Sequence, residues 1–222
     1  MGTLFDRLKD AAAQEWAGFT DHRFIQQMED GSLPEEAFRQ YLIQDYLFLI
    51  QFARAYALAA YKSRTMADIR AAQDGLAAIV AETELHVRLC EGWGISRQAL
   101  DAAPEHETTV AYTRYVLDAG SSGDLLDLHV ALSPCVVGYA EIGRRLKPAL
   151  EQNPKHPYGE WISEYSGAGY LQTAQAAVAH IEELARRSFT EARFEELAQH
   201  FATATRLEGQ FWQMGLDLGA AD

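Results

Sequence analysis

Hydrophobic positions along the chain recur at helical spacing, and no run alternates in the way a half-buried strand would. The segment SLPEEAFRQYLIQDYLFLIQFARAYALAAYKS (32–63) opens with Ser32, Glu35 three residues on and Pro34 in the first turn, a capping-box start. It then runs for about eight turns at ~3.6 residues each without another proline or any glycine. Its apolar residues are too many for a one-sided surface helix, which predicts a central, largely buried one. The spacing predicts further helices over about 66–91, ending at GWG, and over about 105–118, ending at AGSSG. Another spans about 122–150, before the breaker-rich QNPKHPYG. Helices over about 157–165 and 168–187 follow, and a last one over about 191–217 is capped by Thr190. The opening MGTLFDRLKDAAAQEW reads as one amphipathic helix of mixed charge. With no repeat and no linker, the expectation is a single all-α domain over residues 1–222, a bundle of about seven helices with any site between their inner faces.

One interruption bears on chemistry. In ALSPCVVGYAEIG (131–143) a proline falls inside the predicted helix. It has no N–H and its ring crowds the carbonyl four residues back, so the helix should bend near Val130–Pro134 and leave the Val130 carbonyl for another partner. Cys135 and Tyr139 follow, four apart and therefore on one face. The residues alone leave Cys135 open between a packed thiol and a nucleophile. Asp45 and Phe48 share a face of the long early helix, and Glu208, Phe211 and Trp212 form a similar cluster on the last. A lone carboxylate is expensive to bury, so Asp45, amid LIQDYLFLI, and Glu208 are each either a hydrogen-bonded anchor or part of a polar site.

Other candidates are weaker. Glu82 and His86 could ligate a metal from one helix face, but helical di-iron sites use Glu-x-x-His in more than one copy. A side-chain hydrogen bond fits this spacing better, and no metal site is expected. His129, His156 and His180 stand singly, as surface or capping residues. Phosphate-binding glycine loops and the G-x-S-x-G elbow are absent. The aromatic stripe in RAYALAAY (54–61) reads as core, and Cys90 as a structural cysteine.

Charge narrows the partners. With 19 basic and 32 acidic residues the formal charge is −13, which disfavours nucleic acid. Two cysteines make no disulfide scaffold. The N-terminal segment is not a signal peptide, and Asp6 stands where myristoylation requires Ser or Thr. The apolar run YALAAY (56–61) is too short to cross a bilayer, so a cytoplasmic protein without membrane partners is expected.

Four separated segments, QDYLFLIQFARAYALAAYKS, ALSPCVVGYAEIG, WISEYSG and LEGQFW, closely resemble the thiaminase II (TenA) family, in the right order and over nearly the whole chain. The resemblance implies a haem-oxygenase-like helical bundle assembling as a homotetramer. It implies an aminopyrimidine aminohydrolase of thiamin salvage. Such an enzyme releases 4-amino-5-hydroxymethyl-2-methylpyrimidine from the 5-aminomethyl compound or from thiamin, and needs no metal or organic cofactor. Carried over by position, Cys135 matches the family's nucleophile and Glu208 its acid/base. Asp45 matches the carboxylate that binds the aminopyrimidine edge, Tyr139 and Tyr165 the hydrogen-bonding tyrosines, and Tyr112 an aromatic wall. Phe48 departs from those members that carry a tyrosine there to sharpen the cysteine; its ring can only stack. Two other classes stay open at this point: a regulatory protein, which the −13 charge disfavours, and a haem- or metal-dependent oxidoreductase, which lacks paired Glu-x-x-His motifs.

Overall fold

Thr3 begins the helical chain with a reciprocal cap: its hydroxyl accepts the Asp6 N–H and the Asp6 carboxylate accepts the Thr3 N–H. From there the computed structural model describes residues 2–221, all helix, turn and loop, with no strand among the described residues. The helices are α1 (Leu4–Ala11), α2 (Ala13–Thr20), α3 (Arg23–Asp30), α4 (Glu35–Lys62), α5 (Met66–Gly92), α6 (Arg97–Ala102), α7 (Glu107–Ser122), α8 (Leu125–Gln152), α9 (Gly159–Tyr165), α10 (Ala168–Ser188) and α11 (Phe194–Gly219). A short 3₁₀ turn, Glu191–Arg193, precedes α11. The all-α class read from the periodicity is the observed one.

Contacts divide the chain into two compact units. One joins the residues up to Leu33 with His129–Trp212; the other joins Pro34–Leu128 with the residues from Gln213 onward.

In the second unit α4 packs against both α5 and α7, and α6 against α4 and α5. Every residue from Gln44 to Leu49 is buried, a run longer than one helical face, as expected of a central helix. Gln44 shows how a polar group survives there. Its amide donates to the Pro104 carbonyl at 3.0 Å and its oxygen accepts the His106 N–H at 2.9 Å and the Thr109 hydroxyl at 2.7 Å. An amide with three such bonds pins the loop before α7 to α4.

In the first unit, Glu182 of α10 accepts the backbone N–H groups of Leu4 and Phe5 at 3.2 and 3.0 Å. These are donors a helix cannot satisfy internally, and a carboxylate at that end also meets the positive pole of α1. Behind this cap lies an aromatic core in which Trp16 stacks on Phe201 at 5.6 Å and Phe24 on Trp212 at 4.9 Å. α8 runs through Pro134 and Pro148 without a break. The carbonyl that Pro134 frees, Val130, accepts the Ser133 hydroxyl at 2.8 Å, so the partner comes from the same helix. By length and apolarity α8 could cross a membrane, unlike the 56–61 run, but 78% of its apolar stretch is buried inside the protein.

Several local expectations fail for identifiable reasons. Ser32 and Glu35 form no capping box: α4 has Pro34 at its N-cap and no side-chain bond there. The residues before it are spent in closing α3, where Gly31 is left-handed at φ 77°, Leu33 N–H reaches back to the Gln27 carbonyl and Ser32 N–H goes to Asp30. The opening segment is two helices, interrupted at Ala12, whose ψ of 30° leaves the helical region. Thr190 flanks the 3₁₀ turn without a side-chain bond, and α3 and α6 were not foreseen.

Two glycines let neighbours approach α8 closely. A methyl group at Gly138 would fall 2.0 Å from the Phe19 ring, and one at Gly143 would fall 2.4 Å from the carbonyl carbon and oxygen of Tyr165. The second contact is backbone, which has no flexible end to give way. Gly143→Ala should therefore destabilise the protein by about 2 kcal/mol, or roughly 4–8 °C in Tm at this size. Gly18→Ala, where nothing lies within 4 Å, should leave Tm unchanged or raised. Paired thermal melts decide it, and equal effects would refute the close-approach argument.

Candidate active site

The seven residues singled out by the resemblance are divided between the two units: Asp45, Phe48 and Tyr112 in one, Cys135, Tyr139, Tyr165 and Glu208 in the other.

Asp45 lies in the middle of α4 and is buried. Both of its observed contacts fall on one oxygen: Oδ2 accepts the Tyr41 hydroxyl at 3.2 Å and lies 3.4 Å from His86 Nδ1. His86 projects from α5, itself buried, and its Nε2 is 2.8 Å from the Leu42 carbonyl. Burial raises the Asp45 carboxyl to about 7, against a smaller opposing effect of Tyr41. Burial also pushes His86 down to about 4, the bond to Leu42 opposing it. Cys90, fully buried nearby, is pushed up to about 12 by burial first and by the Asp45 charge second. A thiol held that far from ionising is inert, in keeping with a structural role. Phe48 packs on Tyr112 at 5.0 Å and on Phe52 at 5.1 Å, so the two expected aromatic walls of this unit touch each other.

In the other unit, Cys135 and Tyr139 sit one turn apart on α8, Cys135 half-buried and Tyr139 buried. Tyr165, the last residue of α9, reaches Tyr139 at 5.0 Å between ring centres. The backbone contact of Gly143 with Tyr165 sets that approach. Trp212 of α11 lies 5.3 Å from Tyr139, and Trp161 4.4 Å from Tyr165. Glu208, one turn before Trp212 on α11, is 2% exposed. The structure thus joins Tyr139 and Tyr165 in one aromatic cluster. It adds Trp161, Trp212 and Phe19, which the sequence reading did not name as neighbours of these tyrosines.

Two residues that matter here were misjudged. The spacing pairs His86 with Glu82 on its own helix, yet its ring meets Leu42 and Asp45 of α4. Its spacing carried no sign of this; Tyr41, four residues before Asp45, was detectable by helical periodicity. His129 is buried, not a surface group, with its ring edge-on to that of His180 at 4.5 Å. His156 does cap, accepting the Tyr158 N–H. Among the described residues no three His, Cys, Asp or Glu side chains converge as a metal would require.

The Asp45–His86 pair predicts a specific pH behaviour. His86 stays neutral in the fold down to about 4 but protonates near 6.5 when unfolded, so its contribution to stability is lost as pH falls through that window. Asp45 keeps its proton up to about 7 in the fold but ionises near 3.8 when unfolded, so its contribution is lost as pH rises from 4 to 7. The two slopes oppose each other between about pH 4 and 6.5. Asp45→Asn removes one of them, and its stability should fall with acidification more steeply than that of wild type, by about 1.4 kcal/mol per pH unit. Denaturant unfolding at pH 4.5, 5.5 and 6.5 measures this; parallel slopes would contradict it.

Comparison with known proteins places the chain. The model of the TENA/THI-4/PQQC family matches residues 9–218. A Haemophilus influenzae protein is 37% identical over 215 residues, covering 97% of this chain and 100% of its own length. A Halalkalibacterium halodurans protein named aminopyrimidine aminohydrolase is 36% identical over 211 residues, 93% of this chain and 92% of its own. Among solved structures, a protein of Silicibacter sp. TM1040 described as a TenA family transcription regulator superposes with a TM-score of 0.89 at 47% identity, over 97% of each chain. The chain belongs to the TENA/THI-4/PQQC family.

Proposed function

We propose that this protein is a thiamin-salvage hydrolase that uses Cys135 to release 4-amino-5-hydroxymethyl-2-methylpyrimidine from its 5-aminomethyl counterpart, from thiamin, or from both. That it is a hydrolase follows from relatives named aminopyrimidine aminohydrolase that match at 32–36% identity over more than nine-tenths of this chain. The observation that carries the finer reading is the contrast between the two thiols. Cys90 is sealed at 0% exposure with its ionisation suppressed, whereas Cys135 is only half-buried, one turn from Tyr139.

The chemistry requires no more than these side chains. Glu208, as an acid, gives a proton to a ring nitrogen of the bound aminopyrimidine and makes the ring electron-poor. The Cys135 thiolate forms a C–S bond to a ring carbon, and the displaced electron pair moves onto the protonated nitrogen. Those electrons then expel the amine, which departs from its protonated form as ammonia, from the exocyclic carbon, leaving a methylene that adds water and releases one of the water's protons. Loss of the thiolate restores the aromatic ring, and Glu208 regains its proton. The balance is an aminomethyl group and water converted to hydroxymethyl and ammonia. In this reading Asp45 binds the amino edge, Tyr139 and Tyr165 hydrogen-bond, and Phe48 and Tyr112 supply aromatic surface. A small pyrimidine is the ligand, no cofactor takes part, and the enzyme works in the cytoplasm as a homotetramer.

A second reading, a transcriptional regulator, is favoured by the description of the Silicibacter relative. The formal charge of −13 opposes direct contact with DNA. A mobility-shift titration at low salt separates the two, since retarded DNA is expected only of the regulator.

Steady-state hydrolysis of 4-amino-5-aminomethyl-2-methylpyrimidine, beside thiamin, tests the enzyme. Cys135→Ser should reduce turnover to background, and Glu208→Gln should lower kcat by about 10²- to 10⁴-fold. Undiminished turnover by Cys135→Ala would refute nucleophilic catalysis.

A further inference from the structure

The contact between Asp45 and His86 contains a constraint on where a proton sits. Leu42 O is a carbonyl and can only accept, so the 2.8 Å bond to it requires a proton on His86 Nε2. A neutral ring protonated there has a lone pair on Nδ1, and that lone pair faces Asp45 Oδ2 at 3.4 Å. Two acceptors cannot face each other in a buried site; one proton must lie between them. Side-chain exposures of 3% for His86 and 6% for Asp45 leave no room for a bulk-water shell to relieve the contact.

We infer that His86 is a positioning residue that holds Asp45 as a proton-bearing carboxyl, with Oδ2 committed to His86 Nδ1 and Oδ1 presented as a hydrogen-bond acceptor to the amino group of a bound pyrimidine. The identity of that ligand rests on the hydrolase reading above; the state of the pair does not. The surrounding groups fit this assignment. From α4 itself Tyr41 donates to the same oxygen, and from α5 come His86 and the thiol of Cys90, which stays protonated. α6 brings Asp101, taken by the Tyr46 hydroxyl at 2.6 Å, the loop before α7 brings Glu105, paired with Arg114 at 2.6 Å, and Tyr112 of α7 lies against Phe48. Arg114 is engaged by Glu105, and His86 is the basic side chain in contact with Asp45. The geometry requires one shared proton, and burial, which pushes the carboxyl up and the imidazole down, puts it on the carboxyl. A neutral carboxyl also suits an amino-pyrimidine edge better than a buried anion, because binding then desolvates no charge.

The experiment uses two substitutions that divide the ring's two bonds. His86→Asn keeps an acceptor near the Nδ1 position but loses the reach to Leu42. His86→Gln keeps a donor near the Nε2 position but loses the acceptor facing Asp45. Carboxyl carbon NMR of the full chain labelled with ¹³C-aspartate, with Asp45→Asn to assign the signal, follows Asp45 through pH 4–9 without any ligand, and circular dichroism checks that each variant folds. The expected result is an Asp45 titration near neutrality in wild type, retained in His86→Asn and lowered by about one pH unit, tenfold in proton affinity, in His86→Gln. Imidazole ¹⁵N shifts in wild type should show Nε2 protonated and Nδ1 accepting. A wild-type Asp45 that ionises near pH 4, or equal shifts in both variants, would overturn the inference. Turnover of the aminomethyl compound is then measured over the same range: His86→Gln should raise KM more than it lowers kcat, and His86→Asn should restore it. If the NMR result is as expected but no variant or wild type acts on the compound, the hydrolase reading fails and the proton assignment stands.

Discussion

A carboxyl group in the buried middle of α4 is the constraint around which its half of the molecule is arranged. Asp45 cannot be an unpartnered anion among Leu42, Leu47 and Leu49, because desolvating a charge there exceeds what ordinary packing returns. The protein answers with a neighbour from its own helix, Tyr41, and one from α5, His86, whose far nitrogen is tethered to the backbone one turn away. The result ties α4 to α5 by polar contacts inside an otherwise apolar interface. A polar group that must be satisfied specifies a register that leucines alone do not. Gln44 does the same between α4 and the start of α7, through three bonds from one amide. The buried stretch of the central helix is therefore apolar in bulk but positioned by two buried polar residues, Gln44 and Asp45, adjacent in sequence.

The other unit is organised by size rather than by charge. Aromatic rings surround Tyr139, and the glycines of α8 allow a ring on one side and a peptide on another to come closer than any side chain would permit. That packing holds Tyr139 and Tyr165 in contact while Cys135, one turn earlier, stays half-buried. The proposed addition of a thiolate to a flat ring calls for this combination: rigid aromatic surface and a half-buried sulfur on a rigid element.

Much of this was legible in advance, and the failures share a cause. Long amphipathic runs declared α4, α5, α8, α10 and α11 within a few residues, since periodicity over many turns is a redundant signal. Short elements were lost because one or two residues decide them. Ser32 carries a cap signature, yet Gly31 to Leu33 are consumed in ending α3, and a local motif cannot report that the preceding helix has a prior claim on the same backbone groups. Ala12 carries no breaker signature at all. Of the candidate site residues, the aromatic pairs could be listed but not matched, and the partner expected for His86 was on its own helix, whereas its contacts are on α4.

The sequence by itself determined the helical class, the inventory of chemically capable side chains and, through four short segments, the family. These depend on residue type and spacing along one helix, which the linear order contains in full. The tertiary structure decided which ring meets which, which of two thiols is sealed, and that a carboxyl of ordinary acidity in a free chain keeps its proton to about 7 in the fold. Desolvation and hydrogen bonding by residues distant in the chain set those properties, and both exist only once the helices have packed.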